Sequence, residues 1–395
     1  MTRYLIKLRR GKIGKTLLYF LFKCISLLPR KEKSIVFESF HGKQFSDNPK
    51  AIYNYMKENH PEYKLYWSVD RRSLSAFNES DVNILSKFSL KWIYIMGRAK
   101  VWVINARLPL WIPKNDKTIY IQTWHGTPLK KLGIDIEDVK MPGTSTEKYR
   151  ENFSKESSKW DYLISPNRYS TEIFKRAFNF QNTILEVGYP RNDVLTNLNY
   201  KEYINKIKSK LNIPLDKKVL LYAPTWRDNN FFEKGKYRFD MTMDLDRMKK
   251  KLGQDYVILF RFHYLIADKL DLSSYHEFAY NVSRNVDISD LYLISDILIT
   301  DYSSVFFDFA NLRKPMIFYT YDLEEYRDEL RGFYIDFEKQ APGPLVKNTE
   351  QLIDAIINID EPQSNEDFYN YFCYLDDGKA SKRVAELIVR ETTKT

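Results

Sequence analysis

Short runs of β-branched and aromatic residues alternate along this chain with stretches whose apolar positions recur at helical spacing. Segments 34–40 (SIVFESF), 64–69 (KLYWSV), 82–85, 101–105 (VWVIN), 118–123 (TIYIQT), 161–165 and 184–187 read as strands. Between them 51–59, 90–99 and 170–178 read as helices, the first announced by Asp47, Asn48 and Pro49. The stretch 130–160 is mostly polar and matches neither period. After the turn-rich GYPRND at 188–193 the texture restarts. Helix 201–211 is followed by strands at 219–222, 256–260, 297–300 and 315–319, a short strand and turn at 286–290, a helical turn at 291–295, and helices at 323–330, 349–359 and 378–391. Strands alternating with helices at this pace predict α/β domains on parallel sheets.

The chain has 395 residues, too many for one ordinary core, so two domains are expected. The boundaries follow the texture: a basic amphipathic segment at 1–33, a first domain at 34–190, a second at 191–370, and a last helix at 371–395 that can pack back on the first. Aromatic residues make up 15%, which argues for dense cores and against disorder. Two cysteines far apart in sequence, Cys24 and Cys373, imply no disulfide framework or cysteine metal site, which fits a cytoplasmic setting.

Net charge is +10, and residues 1–33 hold nearly all of the excess. Leu17, Leu18, Leu21, Ile25 and Leu28 fall on one helical stripe beside this basic stretch. The apolar run is too short to span a bilayer, which takes about 20 residues. It suits an interfacial helix on an anionic membrane surface, or a helix docked on the protein's own core. Basic charge alone, without a recognition module, does not indicate nucleic-acid binding.

Segment 297–310 (ILITDYSSVFFDFA) reads as strand, tight turn and helix. Ser303 and Ser304 stand where a helix N-terminus favours phosphate, and Asp308 lies one turn along the same face. Ser304 could instead cap the helix, with Asp308 solvated. His125 follows a predicted strand, in the string TWHGTP. Arg191, in GYPRND, could reach a phosphate or face solvent. Thr225 and Trp226, Arg261 and His263, and the two serines each follow a strand, and in a parallel sheet such ends share one edge. That set is an inventory for a pyrophosphate. Trp226 or Phe262 could line a base pocket or sit in the core. There is no phosphate-binding G-x-x-x-x-G-K-[ST], no well-placed G-x-G-x-x-G and no zinc spacing.

The strings QTWHGTPLKKLG, GYPRND, YAPTWRD, RFH and ITDYSSVFFDF, followed by RGFY, resemble the CDP-glycerol glycerophosphotransferases of teichoic acid synthesis. FESFHGKQFSDNPKA resembles especially their short members, which extend a wall teichoic acid linkage unit. The resemblance covers nearly the whole chain from Ser34. It implies a GT-B-like fold of two Rossmann-like domains facing a cleft. It also implies a peripheral enzyme at the cytoplasmic face of the membrane. Its donor would be CDP-glycerol and its acceptor linked to undecaprenyl diphosphate, with CMP released, no cofactor and no assigned metal. By the same resemblance His125 would be the base, and His263 would contact the donor diphosphate. Trp124, Gly126, Thr127, Pro128, Arg191, Thr225, Trp226, Arg261, Phe262, Ser303, Ser304 and Asp308 would form the CDP-glycerol site. A CDP-ribitol transferase, a nucleotide-sugar glycosyltransferase and a non-catalytic membrane adaptor are the alternatives.

Overall fold

The computed structural model describes residues 12–77, 81–139, 143–225, 231–233, 236–237, 242–262, 271–284, 286–325, 332–359 and 366–394. The chain divides into two compact units. The first comprises Met1–His125, Leu132–Asp193 and Leu375–Thr395; the second comprises Gly126–Lys131 and Val194–Tyr374.

The first unit carries seven strands: β1 (Lys31–Glu38), β2 (Lys64–Val69), β3 (Ile84–Ser86), β4 (Ala99–Ile104), β5 (Ile119–Gln122), β6 (Tyr162–Ser165) and β7 (Thr183–Glu186). They lie in the order β3-β2-β1-β4-β5-β6-β7, every neighbouring pair parallel. Helices cover both faces of such a sheet, so β1 is buried continuously from Ser34 to Glu38. Ile35, Phe37, Ile52, Met56, Trp67 and Val103 form one core with Val384, Leu387 and Ile388 of the helix Ala380–Thr393. Each of those three helical side chains contributes roughly 1.5–3 kcal/mol by burial. Asp193 caps that helix from a distance in sequence: its carboxylate accepts from the N–H groups of Ala380 (2.9 Å) and Ser381 (2.8 Å). Gly188 makes room for the same segment. Its φ is +84°, and a Cβ there would sit 2.8 Å from Leu375 O and from Asp376 Oδ1.

The N-terminal helix Lys12–Ser26 docks by one face. Phe22 is fully buried against Trp92 and Trp102, and Ile25 packs on Gly97. Its other face exposes Leu17 (64%) and Phe20 (58%), and Leu27 just past its end is exposed too (76%). Among the described residues no helix is long and apolar enough to cross a membrane.

The second unit carries β8 (Lys218–Tyr222), a short antiparallel hairpin of β9 (Phe231–Glu233) and β10 (Lys236–Tyr237), then β11 (Tyr256–Phe260), β12 (Ala279–Asn281), β13 (Ile297–Thr300), β14 (Met316–Tyr319) and β15 (Leu345–Val346). Its main sheet is parallel, in the order β12-β11-β8-β13-β14-β15. Leu220, Ile258, Phe260, Ile299 and Ile317 pack against Met248, Leu252, Leu352 and Ile356 of the covering helices.

Three readings change. Segment 286–290 is not a strand: Asp287 caps the helix Ile288–Ile294 through Ser289 N, and β12 lies earlier. The polar stretch 130–160 contains the helix Thr146–Ser157, capped by Ser145. That helix buries Glu156 along with Phe153, and a buried carboxylate erases the apolar period. The helix after the two serines is one turn and a half, Val305–Phe309, continued by a 3-10 turn.

Candidate active site

In each sheet the strand order reverses once, and the crevice at that reversal is where open α/β sheets bind ligands. In the first unit the reversal lies between β1 and β4. The residues just past β1, β4 and β5 gather there. His125 Nδ1 lies 2.7 Å from the carbonyl oxygen of Asn105, the residue after β4. A carbonyl only accepts, so Nδ1 carries the proton and Nε2 keeps its lone pair. Burial lowers the His125 pKa, Asp47 and the Asn105 contact oppose the shift, and Arg191 adds to it. The imidazole is thereby held neutral, with Nε2 unprotonated.

The ring is clamped. Trp124 stacks on it at 4.5 Å between centroids, and Phe40 meets it edge-on at 5.6 Å. Trp124 itself is buried against Phe153, Phe174 and Phe178, with φ +51°. Trp124 is therefore a wall behind the imidazole.

Arg191 is not a surface residue. Its Nη1 donates to His125 O (2.9 Å) and to both oxygens of the Asp47 carboxylate (3.2 Å each). The guanidinium also covers the Tyr189 ring. Asn48 is fully buried and completes the brace. Its amide donates to Thr123 O and Trp124 O (3.3 Å each) and its oxygen accepts from Arg191 N (3.1 Å). Arg191 thus positions the backbone of His125 within the first unit. The S-D-N-P string marks a helix start at Asp47 and Asn48, but nothing local in the sequence ties these two residues, or Asn105, to His125.

A cavity of about 480 Å³ opens beside His125. His41, Arg107, Leu110, Tyr149, Asn152 and Glu156 line it with Trp124 and His125. Glu156 is spanned by three donors: Leu108 N (3.1 Å), Tyr120 OH (3.1 Å) and Trp160 Nε1 (2.7 Å). Burial pushes its pKa up to about 7 against these donors and Lys159. Below the β1 end, Lys87 and Glu38 form a buried ion pair, and Ser68 Oγ donates to the same carboxylate (2.6 Å). These groups hold the loop in which Phe40, His41 and Gly42 all have positive φ.

In the second unit the reversal lies between β8 and β13. Ser303 and Ser304 are partly exposed just past β13, and Thr225 stands just past β8. Thr225 N donates to Asp301 (2.7 Å), and Thr300 Oγ1 donates to Ala223 O (2.7 Å). These bonds lock the two strand ends together. Ser304 makes no capping hydrogen bond from its side chain. Gly126 belongs to this unit and lies against Ser304: a Cβ there would sit 3.0 Å from Ser304 Oγ. Thr127 and Pro128 are buried beside it in sequence.

Arg261 follows β11, where Nη1 donates to Val282 O (2.7 Å) and burial lowers its pKa. Phe262 is a core ring: it is buried, lies nearly parallel to Phe260 at 5.5 Å, and meets Tyr222 edge-on. Asp308 is buried rather than solvated. Trp226 and His263 lie outside the described residues, as does the basic stretch before Lys12.

A family model described as CDP-Glycerol:Poly(glycerophosphate) glycerophosphotransferase matches residues 20–390. The teichoic acid poly(glycerol phosphate) polymerase of Bacillus subtilis (strain 168) is 56% identical over 97% of this chain, which spans 52% of that protein's length. The teichoic acid glycerol-phosphate transferase of Staphylococcus aureus (strain NCTC 8325 / PS 47) is 51% identical over 98% of this chain and 100% of its own. Among solved structures, a histidine-to-asparagine variant of the wall teichoic acid polymerase TagF soaked with CDPG superposes with a TM-score of 0.91. It is 46% identical over 98% of this chain and 95% of that one. The UDP-GlcNAc 2-epimerase of Neisseria meningitidis shares the fold alone, at TM-score 0.54 and 14% identity over 90% of this chain and 99% of that one.

Proposed function

The chain belongs to the CDP-Glycerol:Poly(glycerophosphate) glycerophosphotransferase family and is an enzyme of that transferase class; on that footing we propose that it transfers glycerol phosphate from CDP-glycerol to a hydroxyl of a lipid-linked teichoic acid precursor. The acceptor lipid is undecaprenyl diphosphate. The acceptor oxygen bonds to the β-phosphorus of the donor. The bond from that phosphorus to the bridging oxygen breaks, and CMP leaves with that oxygen. The hydroxyl proton passes to His125 Nε2. A phosphodiester results, and the proton is returned to solvent.

The observation that carries this reading is the His125 geometry. An imidazole whose Nδ1 proton is fixed on Asn105 O keeps Nε2 unprotonated on a ring that lines the cavity. General-base help of this kind contributes about 10²–10⁴-fold. In-line positioning and charge neutralisation supply the remainder. Arg261, Ser303, Ser304 and the backbone beyond β8 would hold the donor. His263, assigned through its RFH motif, would steady the departing CMP. The relatives that support the choice of glycerol are glycerol-phosphate enzymes at 51% and 56% identity.

The test is incubation with CDP-glycerol or CDP-ribitol and a lipid-linked disaccharide acceptor, followed by product mass. A mass increment of glycerol phosphate with CMP release is expected. An increment only with CDP-ribitol, or none with either, contradicts the reading.

The same proposal places the enzyme peripherally at the cytoplasmic face of the membrane. The helix Lys12–Ser26 supports this. Its outward face combines exposed Leu17, Phe20 and Leu21 with Lys15 and Lys23, the composition of an interfacial helix. Co-flotation with phosphatidylglycerol vesicles is expected, and Leu17→Glu with Phe20→Glu should abolish it. Unchanged flotation of the double variant contradicts the placement.

A further inference from the structure

We propose that Arg107, in the cavity beside His125, is the specificity-determining residue that binds the phosphodiester preceding the terminal hydroxyl of an already extended acceptor, and so sets KM for that acceptor. This rests on the glycerophosphotransferase reading and extends it to the acceptor.

Arg107 lies three residues past the β4 end and two after Asn105, whose carbonyl fixes the imidazole. Its guanidinium lies 4.3 Å from the centre of the Phe153 ring and 5.2 Å from that of Tyr149. Both rings come from the helix Thr146–Ser157, and all three side chains line the cavity. Stacking fixes the plane of a guanidinium without using its N–H donors. Among the described residues Arg107 makes no ion pair and donates no hydrogen bond from its side chain. A rigid, partly buried cation with its donor fork unoccupied is suited to bidentate contact with phosphate.

The neighbouring carboxylate does not oppose this. Glu156 is covered by Leu108 N–H, Tyr120 OH and Trp160 N–H, so it anchors the segment that carries Arg107. Besides the polar His41 and Asn152, the cavity presents Ala106, Leu108, Pro109 and Leu110, apolar surface that suits the carbon skeleton of a polyol.

The reaction generates the ligand this subsite would recognise. Each transfer leaves a new terminal hydroxyl with a phosphodiester one glycerol away. An acceptor that has never been extended lacks that group next to its hydroxyl. A cation beside the base therefore distinguishes extension from the first addition, and it does so through KM for the acceptor.

The experiment compares two lipid-linked disaccharide acceptors, one bearing a single glycerol phosphate and one bearing none. Wild type, Arg107→Gln and Arg107→Lys are assayed by CMP release, with CDP-glycerol affinity measured by calorimetry. Arg107→Gln should raise KM for the extended acceptor at least tenfold, leave kcat within about threefold, and leave both the unextended acceptor and donor affinity unchanged. Arg107→Lys should recover part of the loss. Equal effects on both acceptors, or a loss of donor affinity, overturn the assignment while leaving the transferase reading intact. If wild type transfers nothing from CDP-glycerol to either acceptor, the transferase reading fails and this assignment fails with it.

Discussion

At the switch point of the first unit the imidazole is immobilised: His125 is bonded to Asn105, stacked on Trp124, and its carbonyl is held by Arg191, which Asp47 neutralises. At the switch point of the second unit the strand ends are bonded to one another through Asp301 and Thr300, while the Ser304 hydroxyl has no capping duty. The difference matches what each edge has to do. The proposed base must keep one tautomer and one direction through every turnover, which suits partners that are many and buried. The proposed donor site must accept and release a charged ligand, which suits hydroxyls that stay available. Substitutions in the two sites should therefore fail in different ways.

The largest contrast is expected at His125 itself. His125→Asn should lower kcat by about 10²–10⁴-fold while CDP-glycerol affinity stays within about twofold by calorimetry. A parallel loss of donor affinity would erase the distinction between the two sites.

Next comes the brace. Asp47 and Arg191 have side chains exposed by only 5% and 11%, so removing one strands the other's charge. Asp47→Ala should cost about 3 kcal/mol in urea unfolding and lower kcat with little change in donor KM. A cost below about 0.5 kcal/mol would mean that the pair is dispensable.

Glu156 gives a similar energy with a pH signature. Its carboxyl has a folded pKa of about 7 against an ordinary 4.5. Between those values the folded state binds the extra proton, so stability falls as pH rises through that window and is level above it. The full drop is on the order of 3 kcal/mol. Denaturation midpoints from pH 4.5 to 7 should slope downward in wild type. Glu156→Gln should flatten that slope, and an unchanged slope would assign it to another group.

The smallest structural effect is expected at Ser304. Ser304→Ala should leave stability within about 0.5 kcal/mol, because the hydroxyl caps nothing. Loss of a hydrogen bond to a charged donor oxygen should still raise the CDP-glycerol KM about tenfold. A stability loss without a KM change would make the serine structural after all.

Much of this frame was readable from residue pattern. Runs such as YVILF and ILIT coincide with β11 and β13, because strands buried on both faces are mostly apolar, and KLYWSV coincides with β2. The positions of His125, Arg261, Ser303 and Ser304 past strand ends followed from the same runs. What stayed hidden was set by contacts distant in sequence. Glu156 breaks the period of its own helix because Tyr120 and Leu108 satisfy it from elsewhere. Asn48 is an ordinary helix-start residue until Thr123, Trp124 and Arg191 surround it. Phe262 looked equally suited to a base pocket or to packing, and Phe260 and Tyr222 claim it for the core. Arg107 carried no local signal, since its stacking partner Phe153 lies in the helix that the polar pattern concealed.

The most direct measurement is the pH dependence of kcat/KM for CMP release, in wild type and in Asp47→Asn. Burial holds the His125 pKa below the ordinary 6.5, and Asp47 acts to raise it. A base must be unprotonated, so activity should persist as pH falls to 6.5 and be lost only below it, with the limb displaced further downward in Asp47→Asn. A limb centred above 6.5 in wild type, or one that does not move in the variant, would contradict His125 as the neutral base.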